Sequence, residues 1–232
     1  MTTLYGQTCV VIGATTSVGL SAAQQLRGRG AHVVLTGGQN VDDAAVAVFG
    51  VSPTPPPASN PGSPTPTPTV SARAVPVTSA DAVAQLFADL NRVDHVVVAL
   101  SPSVAPASVA SLSADDLDAQ FAAHVGLAFA VVQTAAKHVR KTTSDSAPSI
   151  TLVSSSASRG PQKGNLAAAV VAAALDSLVR SLAVELSPIR VNAISTGNAD
   201  AQSDDSGEAI AFLVASSFTT GQILAVDGGF RH

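Results

Sequence analysis

The chain has one cysteine, Cys9, so its 232 residues hold no intrachain disulfide, no thiol pair and no zinc-ligand spacing. That leaves the redox compartment open, makes a cytoplasmic address the simplest, and marks Cys9 as a core residue. Charge is scarce as well. Charged residues are 12% and hydrophobic residues 46%, with a mean hydropathy of +0.35, which excludes a disordered polyelectrolyte. With 12 basic against 16 acidic residues the net charge is -4, and no electrostatic footprint exists for a phosphate backbone or an anionic membrane. Neither nucleic acid nor membrane is expected as a partner. Long apolar runs are missing too: the longest, residues 166–175, is about half the ~20 residues of a spanning helix. The opening Met1-Thr2-Thr3-Leu4-Tyr5-Gly6 carries no basic cluster before an apolar stretch and does not read as a secretion signal. No metal-ligand constellation is present.

What remains is enough chain to bury one sizeable core. Apolar runs of strand length alternate with helical patterns. Cys9-Val10-Val11-Ile12 is followed by a Gly/Thr/Ser turn, a helix over residues 20–29 ended by Gly30, and a second strand at His32-Val33-Val34-Leu35. Further strands are expected at 75–77, 95–100, 150–153, 189–194 and 223–226. The alternation predicts an α/β fold: a doubly wound parallel sheet with helices on both faces, spanning residues 1–232 as one domain. A Pro-rich insertion at about 52–70 interrupts it, since Pro53, Pro55, Pro56, Pro57, Pro61, Pro64, Pro66 and Pro68 cannot supply ladder or helix donors. Pro53 and Pro56, like Pro61 and Pro64, have the spacing that aromatic grooves read, but that spacing is expected by chance in so rich a tract.

Gly13-Ala14-Thr15-Thr16-Ser17-Val18-Gly19 lies between a strand and a helix, the context that gives glycine spacing meaning. Gly13 suits the tight turn, Gly19 suits close helix-on-strand packing, and the helix start offers N–H groups and a positive dipole end to a diphosphate. Thr15, Thr16 and Val18 complete this turn. Ser17 stands at the centre, where glycine normally lets phosphate approach; its Cβ takes room and its hydroxyl can donate. The second strand runs into Thr36-Gly37-Gly38-Gln39-Asn40, with neither the acid that holds a ribose 2′-OH nor an arginine for a 2′-phosphate. Asp42 and Asp43 read as helix-start residues.

Together with Val93-Asp94-His95-Val96-Val97, the run Ser181-Leu182-Ala183-Val184-Glu185-Leu186-Ser187-Pro188-Ile189-Arg190-Val191-Asn192-Ala193-Ile194 and Thr220-Gly221-Gln222-Ile223-Leu224-Ala225-Val226-Asp227-Gly228-Gly229, this turn resembles the short-chain dehydrogenase/reductase family over nearly the whole chain. The resemblance implies a single Rossmann domain of seven strands and NADP or NAD, NADP preferred, at the carboxyl strand ends. It places cofactor contacts at Gly13, Thr15, Thr16, Ser17, Val18, Gly19, Gly37, Gly38, Ala99, Thr196 and Gly197. It also implies homodimers or homotetramers built through helices in 115–140 and 166–186. The family's catalytic tyrosine and lysine fall on Ala168 and Ala172, its serine on Ser155 and its helix asparagine on His124. Val98-Ala99-Leu100-Ser101 replaces the usual Asn-Asn-Ala-Gly, Thr196-Gly197 replaces Pro-Gly, and the stretch from 196 to 208 is short for a substrate lid. The pattern is similar to a tyrosine-lacking branch that includes fungal iminium reductase/Diels-Alderases.

Reducing a ketone makes an alkoxide that needs a proton; a positioned acid contributes ~10²–10⁴-fold and alanine none. Hydride addition to an iminium carbon gives a neutral amine with no accompanying proton. Ser155 reads as a substrate hydrogen-bonding group or a strand-end cap, and His124 as an acid or base near neutral pH or as a helix residue packed among Phe121, Val125 and Phe129. Arg159 and Lys163 read as anion-orienting or solvated cations. Loss of tyrosine and lysine leaves an apolar pocket floor suited to a hydrophobic small molecule. The sequence thus predicts an NAD(P)-dependent oxidoreductase of an atypical branch, acting on an iminium or similar electrophile in secondary metabolism. The alternative is a catalytically silent dinucleotide-binding subunit or regulatory module, packed with an active paralogue.

Overall fold

In the computed structural model, residues 3–38, 40–49, 69–90, 92–100, 106–140, 147–197 and 203–229 are described. Seven parallel strands form one sheet: β1 (Thr8–Ile12), β2 (His32–Gly37), β3 (Val70–Ala74), β4 (His95–Val98), β5 (Ser149–Ser155), β6 (Arg190–Thr196) and β7 (Ile223–Val226). Their order across the sheet is β3-β2-β1-β4-β5-β6-β7. The connecting helices are α1 (Ser17–Gly28), α2 (Val41–Phe49), α3 (Ala80–Asp89), α4 (Ala114–Phe121), α5 (Leu127–His138), α6 (Leu166–Glu185) and α7 (Ser203–Ala215). A π-helical turn, Ala122–Gly126, joins α4 to α5.

Successive strand residues point to opposite faces, and both faces are apolar because helices cover both. Cys9 and Val11 pack with α1 and α7 on one side, whereas Val10 and Ile12 pack with α3, α5 and α6 on the other. Cys9 is a core residue, its thiol pushed upward by burial and by the nearby Asp94 charge. By length and hydropathy alone, Ala114–His138 and Leu166–Glu185 reach membrane-spanning size. Val131, Val132, Val171 and Leu175 pack in the core beneath the sheet, whereas Phe129, Leu166, Val170 and Val184 of α5 and α6 are exposed.

The third strand departs from the sequence expectation. It runs over Val70–Ala74, not 75–77, and pairs Val33 with Val70 through Gly37 with Ala74. The ladder closes where the Val75 N–H donates to the Gly37 carbonyl at 3.0 Å, and residues 75–78 continue as a loop. The last residue of the expected Pro-rich insertion, Val70, thus opens a strand, and 52–68 with both proline pairs lie outside the described residues. Asp42 and Asp43 do stand in the first turn of α2.

At the opposite end from the loops that matter for chemistry, Asp94 is fully buried. It accepts from the Thr8 N–H at 2.8 Å and from Arg92 Nε at 2.5 Å. Arg190 is buried as well and donates to the carbonyls of Leu213, Val214, Thr219 and Ala147, clamping the end of α7 to β6. These buried charges are paired or hydrogen-bonded, as burial requires.

Candidate active site

Because β1 is followed to one side by β2 and to the other by β4, a crevice opens at the carboxyl ends of these strands. The turn after β1 is built for close approach. Gly13 has φ +82°, and a Cβ there would lie 2.5 Å from the Ala99 carbonyl oxygen. The N–H groups of Gly13 and Ala14 both donate to the Thr36 carbonyl, at 3.1 and 2.8 Å, which pins the turn to β2. Thr16 caps α1: its Oγ1 accepts from the Gly19 N–H at 3.0 Å and donates to the Gly13 carbonyl at 2.9 Å. A Cβ on Gly19 would lie 2.4 Å from that same carbonyl. The first turn of α1 holds no acidic side chain, so its positive end is not neutralised locally.

A cavity of about 420 Å³ starts at this turn. Gly13, Thr15, Thr16, Gly37, Gly38 and Ala99 line it, as does His124 at its far side. Sequence reasoning missed the rest of the lining: Val75 to Thr78 after β3, with Leu100, Ala123 and Leu127. The sequence expectation of a strand at 75–77 hides this part of the wall, because these residues form the loop at the carboxyl end of β3. Among the described residues, no Asp, Glu, Lys or Arg lines it.

Other expected residues sit elsewhere. Val18 turns into the core, Gly19 serves the helix-on-turn contact, and Ser17 starts α1 half-buried outside the cavity lining. Gly197 is exposed. Gln39 lies outside the described residues. Thr196 is the last residue of β6, buried, and among the described residues its Oγ1 has no hydrogen-bond partner. It pairs with Ser155 in the ladder, so both stand at the strand ends.

Ser155 caps a 3₁₀ turn, Ser156–Ser158, its Oγ accepting from the Ala157 N–H at 3.2 Å. The capping role is therefore real, and it uses the oxygen while leaving the hydroxyl proton to donate. His124 sits in the π-helical turn, where its Nε2 lies 3.1 Å from Gln120 Oε1, and burial holds its pKa below the usual histidine range. The structure brings His124 to the cavity lining; Ser155 is not among that lining. Ala168 and Ala172 lie on α6, Ala172 buried and Ala168 half-buried. Arg159 is an exposed residue ion-paired with Asp227 at 2.5 Å, and Lys163 is exposed. Among the described residues no group of three or more His, Cys, Asp or Glu could hold a metal.

An open-ended parallel sheet with a glycine turn, a helix start and a cavity at its switch point defines a Rossmann-type domain. Residues 65–203, more than half of the chain, match the family model described as Enoyl-(Acyl carrier protein) reductase, and the chain belongs to the short-chain dehydrogenase/reductase family of oxidoreductases. A curated relative, the short-chain dehydrogenase/reductase ucsE of Acremonium sp, is 29% identical over 198 residues, covering 81% of this chain and 70% of its own length. Among solved structures, the MalC reductase/Diels-Alderase from Malbranchea aurantiaca is similar in fold, with a TM-score of 0.81 at 19% identity over 97% of this chain and 96% of its own. A short-chain dehydrogenase from Burkholderia cenocepacia J2315, solved in complex with NADP, gives a TM-score of 0.77 at 24% identity over 97% and 98% of the two chains.

Proposed function

We propose that the protein is an NAD(P)-dependent oxidoreductase that delivers hydride to an iminium or comparable electrophile of a hydrophobic small molecule, without a tyrosine acid. The observation that carries this reading is the cavity itself. It joins a helix start with no acidic residue in its first turn to His124, whose pKa burial lowers, and its described lining residues include no Asp, Glu, Lys or Arg.

The residues present suit a dinucleotide. Gly13, Thr15, Thr16 and the first turn of α1 would hold a diphosphate, and Gly37 and Gly38 the ribose beyond it. The buried Thr196 hydroxyl, without a protein partner among the described residues, offers a donor at the end of β6, three strands along from β1. No carboxylate stands at Thr36, Gly37, Gly38 or Asn40 to oppose a 2′-phosphate, which favours NADP over NAD. The Burkholderia protein's complex with NADP is compatible with this assignment.

A reduced nicotinamide, when bound, supplies the hydride. Ala168 and Ala172 stand where the family resemblance places the acid pair, and neither can hold or move a proton. An iminium carbon needs none: as its new C–H bond forms, the C=N π pair withdraws to nitrogen and the product is a neutral amine. His124 contributes an uncharged ring, which spares a cationic substrate like-charge repulsion. Ser155 offers a hydroxyl proton to a substrate heteroatom. The apolar faces that leave Phe129, Leu166, Val170 and Val184 exposed on α5 and α6 suit assembly into a homodimer or homotetramer in the cytoplasm.

Nicotinamide fluorescence on titration with NADPH and NADH, followed by turnover of a panel of cyclic iminium ions and ketones, tests this. Binding of NADPH with turnover of iminium ions and not of ketones is the expected result. Two alanines at 168 and 172 favour a second reading, a silent dinucleotide-binding subunit. Binding without any turnover, together with co-purification of an active relative, selects that one.

A further inference from the structure

We propose that Gln120 is a positioning residue: its side-chain carbonyl fixes the His124 ring as the Nε2–H tautomer, so that Nδ1 accepts a hydrogen bond from an N–H-bearing iminium in the cavity. This rests on the proposed function, in which the cofactor takes the glycine-turn part of the cavity and the wall at His124 faces the substrate.

Gln120 belongs to α4 and His124 to the π-helical turn that follows it, where the Leu127 N–H donates to the Ala122 carbonyl five residues back. Such a turn inserts one residue into a helix and changes which side chains share a face, a device found often at functional sites. Ala123 and His124, four and three residues before Leu127, share the cavity wall with it, and Gln120, four residues before His124, stays within reach of the ring. Gln120 Oε1 is an acceptor only, so the His124 nitrogen 3.1 Å away carries the proton. The other nitrogen, Nδ1, is then a lone pair, and among the described residues it has no partner. A glutamine sets the tautomer without adding charge, in keeping with a wall in which no described residue is Asp, Glu, Lys or Arg. A lone pair on that wall accepts from a ligand N–H, which a protonated imine carries and an N-alkylated iminium lacks.

The test uses the full chain in two arms. Long-range ¹⁵N–¹H spectra of the His124 ring report the tautomer directly. Wild type and Gln120→Glu, which keeps an acceptor oxygen, are expected to show a protonated Nε2, and Gln120→Ala a mixture. A wild-type ring protonated at Nδ1 overturns the proposal. The second arm compares 3,4-dihydroisoquinoline, protonated at its nitrogen, with its N-methyl iminium. Gln120→Ala is expected to raise KM for the first by about fivefold to tenfold, one hydrogen bond's worth, with little change in kcat and none for the N-methyl ion. Equal effects on both substrates overturn it. Absence of nucleotide binding defeats the functional reading and the ligand half of this proposal, whereas an Nδ1–H ring with intact turnover defeats this proposal alone.

Discussion

The Ser154 hydroxyl donates to Asp176 Oδ1 across 2.8 Å, joining the end of β5 to the middle of α6. Ser158 donates to the other carboxylate oxygen at 2.9 Å, so one buried acid fixes both the strand end and the 3₁₀ turn that carries Ser155. Replacing Asp176 with alanine leaves the Ser154 hydroxyl without its acceptor, while Ser158 keeps the Ser155 carbonyl at 3.3 Å; the expected cost is ~1–3 kcal/mol in urea unfolding. Asp176→Asn keeps one acceptor oxygen and should cost less. Equal stability of Asp176→Ala and wild type contradicts this role.

Gly13→Ala should damage binding and folding together. The new methyl meets the Ala99 carbonyl at 2.5 Å in a backbone conformation that L side chains rarely adopt, so either the turn or β4 must move. A loss of ~1–3 kcal/mol in stability and at least about tenfold in NADPH affinity is expected, read by thermal melting and fluorescence titration.

Thr196→Val separates cofactor contact from stability. Its hydroxyl is buried without a partner among the described residues, so removing it should leave the free protein as stable as before or slightly more so. NADPH affinity should fall by about fivefold to tenfold, the value of one hydrogen bond. An unchanged dissociation constant removes Thr196 from the cofactor site.

Much of the architecture was legible because parallel strands buried on both faces read as short apolar runs, and α6 announces its buried face through Val171, Leu175 and Leu182. The third strand was not, because Val-Ser-Ala-Arg-Ala at an edge has little apolar periodicity while Val75-Pro76-Val77 looks more strand-like than a proline permits. The glycine turn was legible from its strand-helix context, and the cavity joins Gly13 to His124 as one wall. Gln120 and Asp176 carried no local signal: each acts through a partner, four residues on for Gln120 and 22 back for Asp176, and only the folded chain shows the pairing.

Acid should destabilise the fold before it affects the carboxylates. His95 is buried, its Nε2–H donating to Gln7 Oε1 at 2.6 Å and its Nδ1 accepting from Ser149 Oγ at 2.9 Å, and burial pulls its pKa from 6.5 down to about 4. Burial pulls His32, beside Thr69, down to about 4 as well. The unfolded chain binds these protons below pH 6.5 and the folded chain does not until about pH 4. Their contribution is therefore complete above 6.5 and lost as the pH falls through that window, by an amount on the order of a few kcal/mol. Melting temperatures measured across it should decline steadily; a flat profile contradicts the assignment of neutral buried imidazoles.

Single-turnover reaction with NADPH deuterated at the transferable C4 position, using a cyclic iminium ion and mass spectrometry of the amine, addresses hydride transfer itself. The expected product carries one deuterium at the former iminium carbon. Amine without deuterium, or no amine from a protein saturated with NADPH, contradicts the account.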